Sequence, residues 1–483
     1  MNIESKIKDH CGVFGIYNFE EDSPAKRVYY GLFALQHRGQ ESAGIAATSG
    51  GDIKCHKDLG LVNQVFNEKA LQKLKGKIAV GHVRYSTTGS TAIENAQPIV
   101  IDTKYGPIAL AHNGNLINST ELRARLKESG MSFVGTTDSE IMASMIATSG
   151  SDDFENALVD TLKQCKGAFS LVVLTQDKLI AARDPNGIRP LSIGKLSNAY
   201  VVASETCALD IVGAQFVRDV ANGEIVVIDK DGLRSKTWSR GEKEALCIFE
   251  YIYFARPDSV LSGRNVYEAR YQMGKSLAKE HPVKADMVMP VPESGIPAAI
   301  GFAVESGIPF GEGLIKNRYV GRTFIQPSQE IRDLGVKIKL NPIRDAVRGK
   351  KVIVIDDSIV RGTTSRQLVK LIRDAGAREV HLRISSPPVI SPCYYGIDTP
   401  TKAELVAANL SVEGIRKYLG VESLGYLSMD SLVKAVALPH NNICMACFNG
   451  QYPVKIPERM ESLKLLFQDD PAFQDTGQKE ALF

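Results

Sequence analysis

Residues 352–365 read VIVIDDSIVRGTTS, and few folds accommodate that string. Val352, Ile353, Val354 and Ile355 form a short unbroken apolar run, the pattern of a parallel strand buried on both faces. Two carboxylates, Asp356 and Asp357, stand at its carboxyl end. Gly362, Thr363, Thr364 and Ser365 make a turn, and Leu368, Val369, Leu371 and Ile372 then follow helical spacing. A strand, an acidic pair and a turn of small residues opening a helix together form a cradle for a ribose phosphate. The free N–H groups of the helix start suit a phosphate, and the three hydroxyls add hydrogen bonds. The acidic pair suits ribose hydroxyls and, directly or through water, a magnesium ion. An Asp-Asp pair alone would fit any strand end; the whole pattern is what points to the cradle.

The chain has 483 residues, enough for two or three domains. Its hydrophobic content of 44% and charged content of 23% are those of a soluble globular protein. A net charge of +3 gives no electrostatic case for nucleic acid or a membrane surface. MNIESKIKDH lacks the apolar core of a secretory signal, and no apolar run is long enough to span a bilayer. Eight cysteines without such a signal predict thiol chemistry or metal binding in a reducing, cytoplasmic setting, not a disulfide scaffold.

Two textures divide the chain. Residues 11–240 alternate short β-like runs with glycine-rich turns (CGVFGIY, KIAVGHVRYST, GPIALAHNGNL, FSLVVLT, EIVVID), with helical patterns at Ser119–Gly130 and Asp138–Thr148 between them. This predicts an α/β half of layered sheets covered by helices. Residues 241–455 instead show strand–helix units around ADMVMPVP, KKVIVIDD and EVHLRISS, predicting a parallel sheet with crossover helices. Residues 456–483 are a polar, charged tail.

Four motifs mark the first half: Cys11 opening CGVFGIY, GHVRYSTTG (81–89), HNGNL (112–116) and TTDSE (136–140). Singly they are weak, since a cysteine beside glycine is often just buried and Asn-Gly is a common hairpin turn. Together and in this order they resemble the class II glutamine amidotransferases, which are N-terminal-nucleophile hydrolases. The resemblance implies an αββα glutaminase fold. Cys11 would be the nucleophile and its own α-amine, with a reference pKa near 7.7–8.0, the base. That requires a free amine, so residues 1–10 are expected to be a removable propeptide. Asn113 and the Gly114 N–H match the oxyanion site. Arg84 matches the grip on the glutamine α-carboxylate and Asp138 the acceptor of its α-ammonium. Arg38 to Ser42, RGQES, matches a supporting segment near the nucleophile.

VIVIDDSIVRGTTS closely resembles the phosphoribosylpyrophosphate (PRPP) loop of type I phosphoribosyltransferases. The resemblance implies PRPP binding by Asp356, Asp357, Ser358, Gly362, Thr363, Thr364 and Ser365. Ser294, in VPESGIPAA, would join Asp356 and Asp357 around Mg2+ and pyrophosphate. The basic stretch from Lys316 to Ile343 is expected to close over pyrophosphate as a lid. Lys316, Arg318 and Arg322 are its candidate phosphate contacts; spacing does not choose among them. Both halves in one chain are similar to the glutamine PRPP amidotransferases, which implies formation of 5-phosphoribosylamine from L-glutamine and PRPP. A homotetramer inhibited by purine nucleotides is the form that the resemblance implies.

Cys444 and Cys447 form C-M-A-C, a spacing that serves zinc, a redox pair or an iron–sulfur cluster. Cys247 and Cys393 match positions at which one branch of this family ligates a [4Fe–4S] cluster, the branch that also carries a propeptide. Cys55, Cys165 and Cys207 are left as core or surface thiols. The rival readings are a PRPP-binding regulator without activity, an amidotransferase with another acceptor, and a zinc-binding structural protein. An intact glutaminase half opposes the first, and the PRPP element opposes the second.

Overall fold

The computed structural model describes residues 11–48, 50–85, 92–239, 243–317, 340–399 and 401–457. Residues 1–10, Arg318, Arg322 and nearly all of the tail lie outside that set, as does most of the expected lid.

Two antiparallel sheets build the first half. The seven-stranded sheet runs, from edge to edge, through Gln215–Asp219, Ser192–Leu196, Ala199–Ala203, Gly12–Asp22, Gly76–Arg84, Ser42–Thr48 and Lys54–Leu59. The six-stranded sheet runs through Gly232–Thr237, Glu224–Asp229, Leu179–Arg183, Gly167–Leu174, Gly106–Leu116 and Ile99–Thr103. Their inner faces meet in a core of Val13, Val80, Ala111, Val172, Ile193 and Val226 among others. Strands buried on both faces cannot alternate apolar with polar, which explains the continuous apolar runs of FSLVVL and IVVI.

Helices cover both outer faces. Pro24–Ala34 and Thr206–Ile211 pack on the seven-stranded sheet through Val28, Leu32 and Leu209. Ser119–Glu128, Asp138–Ala147 and Phe154–Gln164 pack on the other through Leu122, Ile141 and Leu158. Phe154–Gln164 buries Phe154, Ala157, Leu158, Thr161 and Leu162, one stripe at helical spacing. Its start is capped by Asp153, whose side chain accepts the Asn156 N–H at 2.9 Å. The layers are therefore αββα.

The second half is built on a four-stranded sheet, every pair of it parallel, in the order Met287–Pro290, Lys351–Asp356, Glu379–Ile384, Ser423–Tyr426. The run that opened the sequence reading is a central strand, and Val352 through Ile355 have no exposed surface. Burying four such side chains stabilises the sheet by roughly 1.5–3 kcal/mol each. The helix Thr363–Asp374 follows, turning Ser365, Leu368, Val369 and Ile372 inward.

The halves share a core. Ile117, Ala168 and Ile188 of the first half pack in one apolar cluster with Phe249, Tyr395, Met445 and Phe448 of the second. All four cysteines set apart in the sequence lie in that same cluster.

Candidate active site

The strand Gly12–Asp22 pairs antiparallel with Gly76–Arg84, with Gly12 opposite Val83. This register brings Cys11 to the end of the sheet beside Arg84 and Tyr85. The Cys11 thiol is buried and donates to the Tyr85 carbonyl at 3.4 Å. Burial pushes its pKa up; the Tyr85 contact and the positive charge of Arg84 work against that rise, while Glu41 and Asp138 add to it. The thiol therefore needs a base to become a nucleophile.

The facing sheet supplies the remaining groups through Gly106–Leu116. Asn113 is buried, and neither its amide oxygen nor its amide nitrogen has a hydrogen-bond partner among the described residues. A buried amide with both ends unpaired is costly, and such groups mark places where a ligand is expected. Gly114 has φ +153°, and a β-carbon there would lie 2.0 Å from the Ala168 carbonyl oxygen, so only glycine fits. His82 reaches across from the first sheet, its Nε2 3.0 Å from the His112 carbonyl oxygen. That contact fixes the strand carrying Arg84 against the strand carrying Asn113. Burial holds the His82 imidazole down to about 3, so it is neutral.

Asp138 opens the helix Asp138–Ala147, where a carboxylate complements the helix dipole. Its Oδ2 accepts the Leu116 N–H at 2.9 Å, and its Oδ1 lies 3.5 Å from His112 Nδ1. Burial would raise this carboxyl, but the His112 imidazole and the N–H groups of Leu116 and Ser139 reverse that and hold it below the usual range. Arg84 is buried too; desolvation lowers its pKa while Glu41, Cys11 and Asp138 support its charge. Cys11, Arg84 and Asp138 thus lie within reach of one another's charge, and the His82–His112 contact brings the strand carrying Asn113 and Gly114 against the strand carrying Arg84.

Arg38 does more than support this region. Its Nε donates to the Cys11 carbonyl at 3.1 Å. Its other nitrogens meet Glu205 at 2.6 Å and Glu250 at 2.9 and 2.8 Å. The sequence reading missed Glu205, Glu250, Arg189 and His82. A signal for Glu250 was present: it is the one carboxylate inside the apolar run ALCIFEYIYF.

A second site lies at the carboxyl end of the parallel sheet, where ligands of open α/β sheets bind. Asp356 and Asp357 are buried there. Ser294 Oγ donates to Asp357 Oδ2 at 2.6 Å, and Ser358 Oγ donates to Asp357 Oδ1 at 2.8 Å. The Asp357 N–H meets Asp356 Oδ1 at 3.0 Å. Gly362, at φ +78°, turns the chain into its helix, leaving Thr363 exposed, Thr364 half-buried and Ser365 buried. Lys316, half exposed, pairs with Glu293 at 3.5 Å. It ends the strand Leu314–Lys316, which pairs antiparallel with Leu340–Pro342, so the described ends of the expected lid are joined.

Cys247 and Cys444 face each other in a short parallel pair. The Cys447 carbonyl accepts N–H groups from Ile390 and Ser391, just before Cys393. Burial would raise the Cys393 thiol, but the Cys447 thiol and the Arg189 charge pull it down. Three chain segments thus bring four buried thiols together. Among the described residues, no three Cys, His, Asp or Glu side chains stand in metal-holding geometry, either here or around Asp356 and Asp357. The donors nonetheless fit the expected groups: thiolates for iron and sulfide, carboxylate and hydroxyl oxygens for magnesium. Of the leftover thiols, Cys165 and Cys207 are buried and Cys55 is exposed.

The segment after Cys393 also touches the first site. Asn115 Nδ2 donates to the Tyr394 carbonyl at 3.1 Å, and Tyr85 Oη lies 3.5 Å from Asp398. A β-carbon on Gly396 would sit 3.0 Å from the Gly114 carbonyl oxygen.

Residues 82–210 match the family described as glutamine amidotransferase domain. The chain is 53% identical over 467 residues to the amidophosphoribosyltransferase of Synechococcus elongatus, covering 95% of this chain and 94% of the relative. It is 52% identical over 458 residues to that of Methanothermobacter thermautotrophicus, with 94% and 96% covered. Among solved structures it matches glutamine PRPP amidotransferase from B. subtilis complexed with ADP and GMP. The TM-score is 0.89 at 49% identity, covering 94% of this chain and 100% of that one.

Proposed function

Because this chain belongs to the amidophosphoribosyltransferase family, we propose which of its residues carry the family's reaction. The enzyme converts glutamine, PRPP and water to 5-phosphoribosylamine, glutamate and pyrophosphate, the first committed step of de novo purine biosynthesis.

Cys11 is the glutaminase nucleophile in this reading, and the observation that carries it is the unpaired Asn113 amide in the same buried site. Arg84 holds the substrate α-carboxylate and Asp138 its α-ammonium. The Cys11 amine takes the thiol proton, and sulfur attacks the amide carbon. The resulting oxyanion is received by Asn113 Nδ2 and the Gly114 N–H. The amine returns the proton to the departing ammonia, and water hydrolyses the thioester to glutamate. A free amine requires removal of residues 1–10 as a propeptide.

Ammonia then displaces pyrophosphate at the anomeric carbon of PRPP. Asp356 and Asp357 bind the ribose side, and Ser358, Gly362, Thr363, Thr364 and Ser365 cradle the 5-phosphate. Lys316, Arg318 and Arg322 are the candidate contacts to pyrophosphate. Ser294, Asp356 and Asp357 would hold Mg2+, which supplies charge neutralisation on the leaving group. Cys247, Cys393, Cys444 and Cys447 would hold a [4Fe–4S] cluster as a structural tie. ADP and GMP in the B. subtilis structure support purine nucleotides as inhibitors here. The reading also includes a cytoplasmic homotetramer, a glutaminase domain at 11–240, a phosphoribosyltransferase domain at 241–455 and a C-terminal tail at 456–483. Among the described residues, no helix is long and apolar enough to cross a membrane.

Two variants test the two-site assignment. Cys11→Ala should abolish glutamine-dependent turnover and leave ammonia-dependent turnover with PRPP. Asp357→Ala should depress both. Loss of both activities in a folded Cys11→Ala protein would overturn it.

A further inference from the structure

Glu250 lies outside every role assigned above, yet it is a fully buried carboxylate shared by two buried guanidiniums. On one side it takes two hydrogen bonds from Arg38, at 2.9 and 2.8 Å. On the other it lies 3.5 Å from Arg189 Nη1. Arg38 grips the Cys11 carbonyl. Arg189 donates twice to the Tyr395 carbonyl, at 3.2 and 2.6 Å, two residues beyond Cys393. Glu250 itself stands three residues after Cys247.

We propose that Glu250, with Arg189, is a positioning residue for the glutaminase: it fixes the Cys11 main chain to the segments that carry Cys247 and Cys393. The physical argument is one of restraint. Cys11 has only one covalent neighbour once its amine is free, so its orientation depends on what holds its carbonyl. A guanidinium held by two buried carboxylates is a rigid fork, because each lost contact would leave a charge buried without a partner. Glu205, in the first half of the chain, anchors the same fork and also accepts from second-half residues, Ser259 at 2.7 Å and the Arg256 N–H at 2.9 Å. Glu250 joins Arg38 to Arg189, and through it to the cysteine-bearing segment. The glutaminase is therefore geometrically complete only when that segment is docked.

The inference rests on Cys11 being the nucleophile, and Cys11→Ala assayed in parallel separates the two claims. The test uses the purified full chain with processing checked by intact mass. Glu250→Gln keeps the shape and removes the shared charge. Glutamine-dependent kcat should fall about 10- to 100-fold with little change in KM for glutamine. Ammonia-dependent kcat should stay within about twofold. Mapped alkylation of Cys11 by iodoacetamide should slow in step with the glutamine-dependent rate, and Glu250→Asp should recover part of both. If Glu250→Gln does not fold, Arg189→Lys should give the same split, since lysine cannot span Glu250 and the Tyr395 carbonyl together. Wild-type glutamine turnover and alkylation in either folded variant overturns the proposal. So does a parallel fall of both activities, which would make the network a general structural element.

Discussion

Asn113 shows what a single side chain contributes to this enzyme. Among the described residues its amide is buried with nothing to bond, so it lends the fold no hydrogen bond of its own, and the proposed reading gives it the oxyanion. Asn113→Ala should therefore lower glutamine-dependent kcat by about 10²–10³. Ammonia-dependent turnover and thermal stability should hold, which steady-state kinetics and a melting curve would check. His82 behaves differently because its interest lies in folding. Its ordinary pKa of 6.5 is depressed to about 3 by burial. Between those values the unfolded chain binds a proton that the folded chain excludes, so stability falls as pH drops through this window. The slope from this group approaches about 1.4 kcal/mol per pH unit. Denaturant titrations between those pH values should be flatter for His82→Gln than for the parent. Asp138 acts from the acid end of that window downwards: its stabilisation is complete above its ordinary value of 3.8 and is lost as pH falls from there through its depressed folded value.

At the level of elements, the proposed phosphate cradle depends on one backbone conformation. Gly362 sits at φ +78° immediately before the helix Thr363–Asp374, with the Tyr418 ring 3.1 Å from where a β-carbon would be. Gly362→Ala should cost about 1–2 kcal/mol in backbone strain alone. Because it displaces the helix start, KM for PRPP should rise equally with glutamine or ammonia as donor. A rise seen with glutamine only would place Gly362 outside the cradle. The five-residue π-helical turn Glu250–Phe254 is a second such element. Arg270 ties it down, donating to the Tyr251 and Ala255 carbonyls at 2.7 and 2.8 Å. π turns recur at functional sites, and this one presents Glu250 to Arg38. Apolar periodicity could not have revealed it, since π and α turns bury similar residues.

Across the whole molecule, the four cysteines and the seam between the halves occupy one apolar core. Cys447→Ser should abolish the visible absorbance and iron of a cluster and lower the melting temperature of the whole chain; an unchanged iron content would remove Cys447 from the ligand set. The strand of residues 352–355, the acidic pair after it and the glycine turn were legible in sequence because their chemistry is local and their neighbours are consecutive. The layered first half was legible for the same reason: continuous apolar runs between glycine turns specify buried strands. The motifs around Cys11, Asn113 and Asp138 could be named in order, but their meeting depends on a strand register and a sheet-to-sheet contact through His82. The Arg38–Glu250–Arg189 network joins residues 212 and 61 positions apart. A buried charge declares itself in sequence only as an oddity in an apolar run. Its partners are chosen by how the sheets and segments pack, since the cost of leaving it unpaired is felt only once water has been excluded.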